Sequence, residues 1–340
     1  MKSRSAKALL LLVSTLLLVQ PRGILGADRP VVVAHRGASG YLPEHTLEAK
    51  AMAHAMRADF IEQDVVLTKD DQPVLLHDIH LDTVTNVAQI FPKRARDDGR
   101  YYAIDFTLAE IKQLRVTERI SLDTKQAVYP KRFPVRKSKF EVPTLVEEFE
   151  LIQGLNKSTG RVVGIYTEIK SPAWHREQGK DISPIVLNIL DQFGYHEKTD
   201  RAYVQCFDAD ELQRIREELK SRLKLVQLIG ENDWNESPTD FEEIRTAAGL
   251  RRTAKYVDGI GPWLPHVVAG LDDNRKPIIA DLVELAHENN LEVHPYTFRA
   301  DSLPDYASSM DEVFDIFINH AKVDGLFTDF PDQAVKFLDQ

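Results

Sequence analysis

Val31-Val32-Val33-Ala34-His35-Arg36-Gly37-Ala38-Ser39-Gly40 is the stretch from which the fold of this chain can be read. A short β-branched run ends in a histidine and an arginine, and a glycine-bearing turn follows. Such a run, bounded by turn residues, fits a strand buried on both faces. The unit recurs along the chain, with candidate strands at 31–35, 60–64, 162–169, 202–206, 224–229, 256–260, 291–297 and 323–328. Amphipathic stretches lie between most of them. In 47–56, Leu47, Ala51, Met52, Ala55 and Met56 share one helical face, and Asp208 is an N-cap candidate ahead of Leu212, Ile215 and Leu219. Phe314, Phe317 and Ile318 repeat the spacing near the end. Eight strand–helix units predict an α/β fold, a closed (β/α)8 barrel of the TIM type, with functional groups at the C-terminal ends of its strands.

One segment breaks the rhythm. Thr68-Lys69-Asp70-Asp71-Gln72 separates two strand-like runs, 64–67 and 73–77. This predicts a hairpin that rises from the second strand and brings His77 level with Asp64. From 79 to about 143 no barrel strand is evident, and the residues are rich in charges and aromatics. They are expected to form a small insertion over the barrel mouth, before a helix at 145–155 returns to the barrel.

At 340 residues, with 43% apolar and 28% charged side chains, the chain can bury a sizeable core. Lys2, Arg4 and Lys7 precede an apolar run at 8–19, and the small residues Gly26 and Ala27 follow. Residues 1–27 therefore read as a cleavable signal peptide, which places the mature domain, 28–340, in the periplasm. Removing Lys2, Arg4, Lys7 and Arg22, with no acid lost, takes the net charge from −10 to −14. That surface disfavours nucleic acid and stable membrane association, so an anionic substrate must be drawn in by local cations. Cys206 is the only cysteine, which excludes an internal disulfide, and its strand context predicts a buried thiol.

Glu62 and Asp64 are two apart on a strand and leave the same face, as do Tyr166, Glu168 and Lys170 on another. Crowded carboxylates repel and are driven to protonate unless a cation sits between them. All-oxygen ligation favours calcium or magnesium over zinc. His35 and His77 each end a strand and supply two imidazoles able to take and give protons near neutral pH. Arg36 could clamp a phosphate in bidentate fashion, and Lys170 adds a point charge. Gly37 and Gly40 are expected to let backbone N–H groups approach a phosphate oxygen. Trp263, after the sixth strand, either walls the pocket or packs in the core. His54, His175, His196, His266 and His287 have no partners in sequence and read as surface or structural. The set fits metal-assisted cleavage of a phosphate ester.

His35-Arg36-Gly37, Pro43-Glu44-His45-Thr46, Glu62-x-Asp64, His77-Asp78, Glu168-x-Lys170 and Thr328-Asp329-Phe330-Pro331 together resemble the glycerophosphodiester phosphodiesterase family, in its order, and its periplasmic bacterial branch in particular. The resemblance spans nearly everything after residue 27. It implies a TIM-type barrel that hydrolyses glycerophosphodiesters to sn-glycerol 3-phosphate and an alcohol. It implies Glu62, Asp64 and Glu168 as ligands of a divalent metal, calcium ahead of magnesium, and His35 and His77 as the acid/base pair. Arg36 and Lys170 would contact phosphate. Many members carry Asn in place of His45, which is assigned to substrate contact with capping of the next helix as the alternative. Two rival readings share the fold: a phospholipase of the C or D type, and a non-catalytic, adhesin-like binding protein of the cell envelope.

Overall fold

The computed structural model describes residues 29–340, so the expected signal peptide lies outside the described residues. Eleven strands occur among these: β1 Val31–Ala34, β2 Phe60–Leu67, β3 Pro73–Leu75, β4 Gly164–Ile169, β5 Ala202–Cys206, β6 Lys224–Ile229, β7 Gly259–Pro262, β8 Val268–Leu271, β9 Pro277–Ile279, β10 Glu292–Val293 and β11 Gly325–Thr328. Eight of them run parallel in the order β10-β7-β6-β5-β4-β2-β1-β11. The seam between the outer two is bridged by Asp324 N–H to Val293 O at 3.0 Å and Phe327 N–H to Pro295 O at 3.0 Å. The result is the (β/α)8 barrel expected from the alternation.

Two apolar layers hold it. Inside the barrel, Val33, Phe60, Tyr166, Tyr203, Val226 and Phe327 fill the floor, with Tyr166 stacked on Tyr203 at 4.5 Å. Gly164 is required here, because a Cβ would meet the Phe60 ring at 2.4 Å. Outside, the helices bury their apolar faces against the sheet. Thr46 starts the helix Leu47–Ala55 by accepting from Ala49 N–H at 3.2 Å, a cap worth about 1 kcal/mol. Beneath that helix Lys50, fully buried, pairs with Glu148 at 3.1 Å and donates to the carbonyl of Glu62. Removing one member of such a buried pair costs about 3–5 kcal/mol, so this contact pins β2 from behind.

The hairpin forms as expected, with Val65, Val66 and Leu67 paired to Leu75, Val74 and Pro73. Leu76 N–H donates to Asp64 O at 3.1 Å, so Leu76 stands level with Asp64, and His77, one residue further on than expected, reaches the same mouth. Residues 79–143 hold short helical turns and isolated bridges around a core of their own, in which Leu81, Phe106, Ile111, Val116 and Phe140 pack against Val66 and Val74. A second hairpin, β8–β9, was not foreseen from the sequence. No described helix is long and apolar enough to cross a membrane.

Candidate active site

Register places the carboxylates. Asp64 on β2 is the direct partner of Glu168 on β4, and Glu62 pairs with Tyr166. Strand alternation turns Glu62, Asp64 and Glu168 into the mouth, while Gln63 points outward and donates to Glu148 at 2.9 Å. The three residues are 1, 0 and 5 % exposed. Glu62 accepts from the Arg36 backbone N–H at 2.6 Å, and Lys170 Nζ lies 2.7 Å from Glu168. His45 Nε2 is 2.8 Å from Asp64 Oδ2; since an ionised carboxylate only accepts, this nitrogen carries the proton. Asp64 Oδ1 is buried without any hydrogen-bond partner.

Burial, then the charge of Asp64, pushes Glu62 well above the ordinary carboxylate range. Burial raises Glu168 in the same way. Asp64 moves down instead, because His45, Lys170 and Arg36 outweigh its burial. These shifts favour protonation of Glu62 and Glu168 over three bare carboxylates, a crowding that a divalent cation would relieve. Glu62 and Asp64 offer carboxylate oxygens within 4.8 Å of one another, and with the orphaned Asp64 oxygen and Glu168 on the paired strand these donors fit such an ion, while His45 donates to Asp64 from behind.

Both histidines are held by the same device. His35 Nδ1 lies 2.6 Å from Asp329 Oδ1, and His77 Nδ1 lies 2.7 Å from Asp78 Oδ1. Each aspartate accepts from Nδ1–H, which leaves Nε2 as the free nitrogen. Burial, reinforced by Arg36, lowers His35 to about 4; burial, Arg36 and Lys170 lower His77. Both shifts favour the neutral imidazole near pH 7.

His35, Arg36, Glu62, His77, Glu168 and Trp263 line one cavity of about 260 Å³, whose remaining wall includes Trp234 and Tyr296. Trp263 meets Trp234 edge to face at 5.0 Å, so it walls the pocket. Lys170 faces Glu168 and lies over the Phe207 ring at 5.4 Å. Arg36, at φ 57°, turns its guanidinium to within 3.3 Å of both Glu44 and Asp64.

Three expectations are corrected. His45 is 2 % exposed and stands behind Asp64, away from the cavity wall, so it contacts a carboxylate in place of substrate. It does not cap the helix either, a task taken by Thr46. The N–H groups of Gly37 and Gly40 are spent on Ala34 O at 3.1 Å and Asp329 O at 2.9 Å and are closed to a phosphate. Their glycines serve close packing: a Cβ on Gly37 would lie 2.8 Å from the Ala49 backbone. The other named histidines are structural or at the surface, with His175 accepting from Leu67 N–H at 3.2 Å and His196 and His287 exposed, and Cys206 is buried.

Several site residues escaped the sequence reading. Glu44 and Asp329 stood inside quoted motifs with no role attached, although Asp329 follows a strand end like the others. Arg119 and Arg132 come from the irregular 79–143 segment, where no periodicity marks them. Arg119 donates to Glu44 at 2.6 and 3.0 Å and to Asp78 at 2.6 Å. Arg132 donates to Asp301 at 2.8 and 3.1 Å and to Asp329 at 2.7 Å.

The sequence model of the Glycerophosphoryl diester phosphodiesterase family matches residues 35–333. A glycerophosphodiester phosphodiesterase of Haemophilus influenzae is 46% identical over 91% of this chain and 89% of its own. One of Treponema pallidum is 38% identical over 92% of each. Among solved structures, an Oleispira antarctica phosphodiesterase in complex with the product sn-glycerol-3-phosphate superposes with a TM-score of 0.60 at 20% identity, covering 92% of this chain and 98% of that one. A glycerophosphodiester phosphodiesterase of Agrobacterium tumefaciens superposes with a TM-score of 0.57 at 18% identity, covering 92% and 100%. The family match, the extent of these identities and the shared barrel agree: the chain belongs to the glycerophosphoryl diester phosphodiesterase family and is an enzyme of that activity.

Proposed function

We propose that this enzyme hydrolyses glycerophosphodiesters to sn-glycerol 3-phosphate and an alcohol, with His35 and His77 moving the protons. One observation carries the reading: two imidazoles, each fixed at Nδ1 by an aspartate, face one cavity with Glu62 and Glu168. Glu62, Asp64 and Glu168 would hold a divalent cation, calcium ahead of magnesium, with His45 steadying Asp64. Such an ion, when bound, would neutralise phosphoryl charge and acidify a nearby hydroxyl. The product named for the Oleispira relative supports the substrate class.

The glycerol hydroxyl next to the esterified carbon is held close to phosphorus by the substrate itself, an advantage in effective molarity that bulk water lacks. In this proposal one histidine takes that hydroxyl's proton as its oxygen bonds to phosphorus. The bond to the alcohol breaks, and the other histidine, its imidazolium favoured by the anionic phosphate, protonates the leaving oxygen. Water then opens the cyclic glycerol phosphate with the roles reversed. Arg36, in the cavity wall, offers cationic charge to the phosphate.

Turnover of glycerophosphocholine with and without chelator tests the reading. Stripped enzyme should lose activity and regain it with calcium; full turnover by protein shown to be metal-free would refute the cation's role. A substrate lacking the neighbouring hydroxyl should react on the order of 10²-fold more slowly or worse. Equal turnover would establish direct attack by water. We also propose export with cleavage after Ala27, as the leader-like composition of 1–27 implies. N-terminal sequencing should find Asp28 first, and an intact Met1 in exported protein would contradict it.

A further inference from the structure

The two histidines are tied to the 79–143 insertion by matching four-member chains. On one side His35 Nδ1 meets Asp329 at 2.6 Å, Asp329 Oδ2 accepts from Arg132 at 2.7 Å, and Arg132 is locked on Asp301 at 2.8 and 3.1 Å. On the other, His77 Nδ1 meets Asp78 at 2.7 Å, Asp78 Oδ2 accepts from Arg119 at 2.6 Å, and Arg119 is locked on Glu44 at 2.6 and 3.0 Å. The order is the same in both: imidazole, aspartate, arginine, second carboxylate. Both arginines belong to the insertion, and their side chains are only 16 and 5 % exposed.

We propose that Arg119 and Arg132 are positioning residues for the hydrolysis, each fixing the aspartate that orients one histidine, so that the insertion forms part of the reaction apparatus. This rests on the reading that His35 and His77 exchange protons with the substrate. The chemical reason is geometric. A carboxylate on a flexible side chain rotates, and only one rotation presents an oxygen to Nδ1–H while Nε2 faces the cavity. A guanidinium fork saturated by a second carboxylate cannot follow that rotation, so it holds the far oxygen still. Coupling of this kind, through a partner that never touches substrate, is worth about 10–100-fold in activity where outer partners of metal-site ligands have been changed.

The two chains differ in one respect, which makes the proposal sharper. Asp329 keeps a second cationic donor, Arg299 Nε at 3.0 Å, if Arg132 is lost. Asp78 keeps only the neutral Thr83 hydroxyl at 3.1 Å. Arg119 also holds Glu44, which in turn contacts the Arg36 guanidinium at 3.3 Å. Loss of Arg119 should therefore lower kcat more than loss of Arg132, and should also raise KM, whereas loss of Arg132 should act on kcat alone.

The test is a pair of double-mutant cycles on the full chain with glycerophosphocholine, with melting curves on every protein. Arg119→Met should cost about 10–100-fold in kcat/KM. In an Asp78→Asn background the same change should cost about twofold or less, because its route to His77 is already cut. Arg132→Met in an Asp329→Asn background should behave likewise. Should either Met variant fold poorly, Arg119→Lys and Arg132→Lys keep the charge but cannot span two carboxylates, and are expected to lose kcat without a fall in Tm. Losses that simply add across a cycle, or a folded Arg119→Met enzyme within about twofold of wild type, would overturn the proposal. A folded His77→Ala enzyme that keeps full turnover would overturn the underlying reading instead, so the two failures are distinguishable.

Discussion

Glu62, Asp64 and Glu168 stand on paired strands, one of them opposite another in register, whereas Arg119 and Arg132 stand on a segment whose strand pairing is limited to isolated bridges. The barrel wall forces like charges together; the insertion supplies charges that hold others in place. Bringing carboxyl groups into a dry mouth is unfavourable, and a ladder of backbone hydrogen bonds, braced by Lys50 from behind and joined by the contacts of Lys170, Arg36 and His45, keeps them there. The insertion's arginines go where opposite charge attracts them, so they need no sheet. Groups held against repulsion sit on rigid scaffold, and groups drawn in by attraction can come from irregular chain.

Breaking the barrel side should have the largest effect. Glu62→Ala should reduce turnover to that of chelated wild type, and calcium should no longer raise its Tm, because a bound ion stabilises only the folded site. A Glu62→Ala enzyme still stabilised and activated by calcium would show that the ion sits elsewhere. The smallest effect comes from the insertion. Glu118, 3 % exposed with Oε2 lacking a partner, is raised to about 8 by burial and then by Glu44. A folded-state value above the unfolded one means that its protonated form favours folding at low pH, and that this contribution is lost as pH rises through about 8. Glu118→Gln should therefore leave Tm nearly unchanged at pH 5 and raise it at pH 9. An equal change at both values would contradict the burial argument.

Much of the barrel was legible because its signal is local. The eight strand runs and the hairpin follow from apolar patterning and turn residues, and each occurs. Boundaries drifted. The seventh run, expected at 291–297, is a regular strand only at Glu292–Val293, although His294 and Tyr296 N–H still donate to Ile260 O at 2.9 Å and Pro262 O at 3.1 Å beyond it. Glu62, Asp64, Glu168, His35 and His77 were legible because a strand end has only one mouth to face. His45 was misplaced because nothing in Glu44-His45-Thr46 says which of its neighbours it will touch. Arg119 and Arg132 were invisible for a different reason: their partners lie 75, 41, 169 and 197 residues away, and no local period encodes such pairings.

The most direct test of the account is the turnover of His35→Ala, His77→Ala and the double variant on glycerophosphocholine, with Tm measured beside each. Each single change should cost on the order of 10²–10⁴-fold, with Tm little changed, and the double variant should be no worse than the poorer single, since the two act as one unit. A folded His77→Ala enzyme that retains turnover within about tenfold of wild type, below the range expected of an acid/base group, would contradict it.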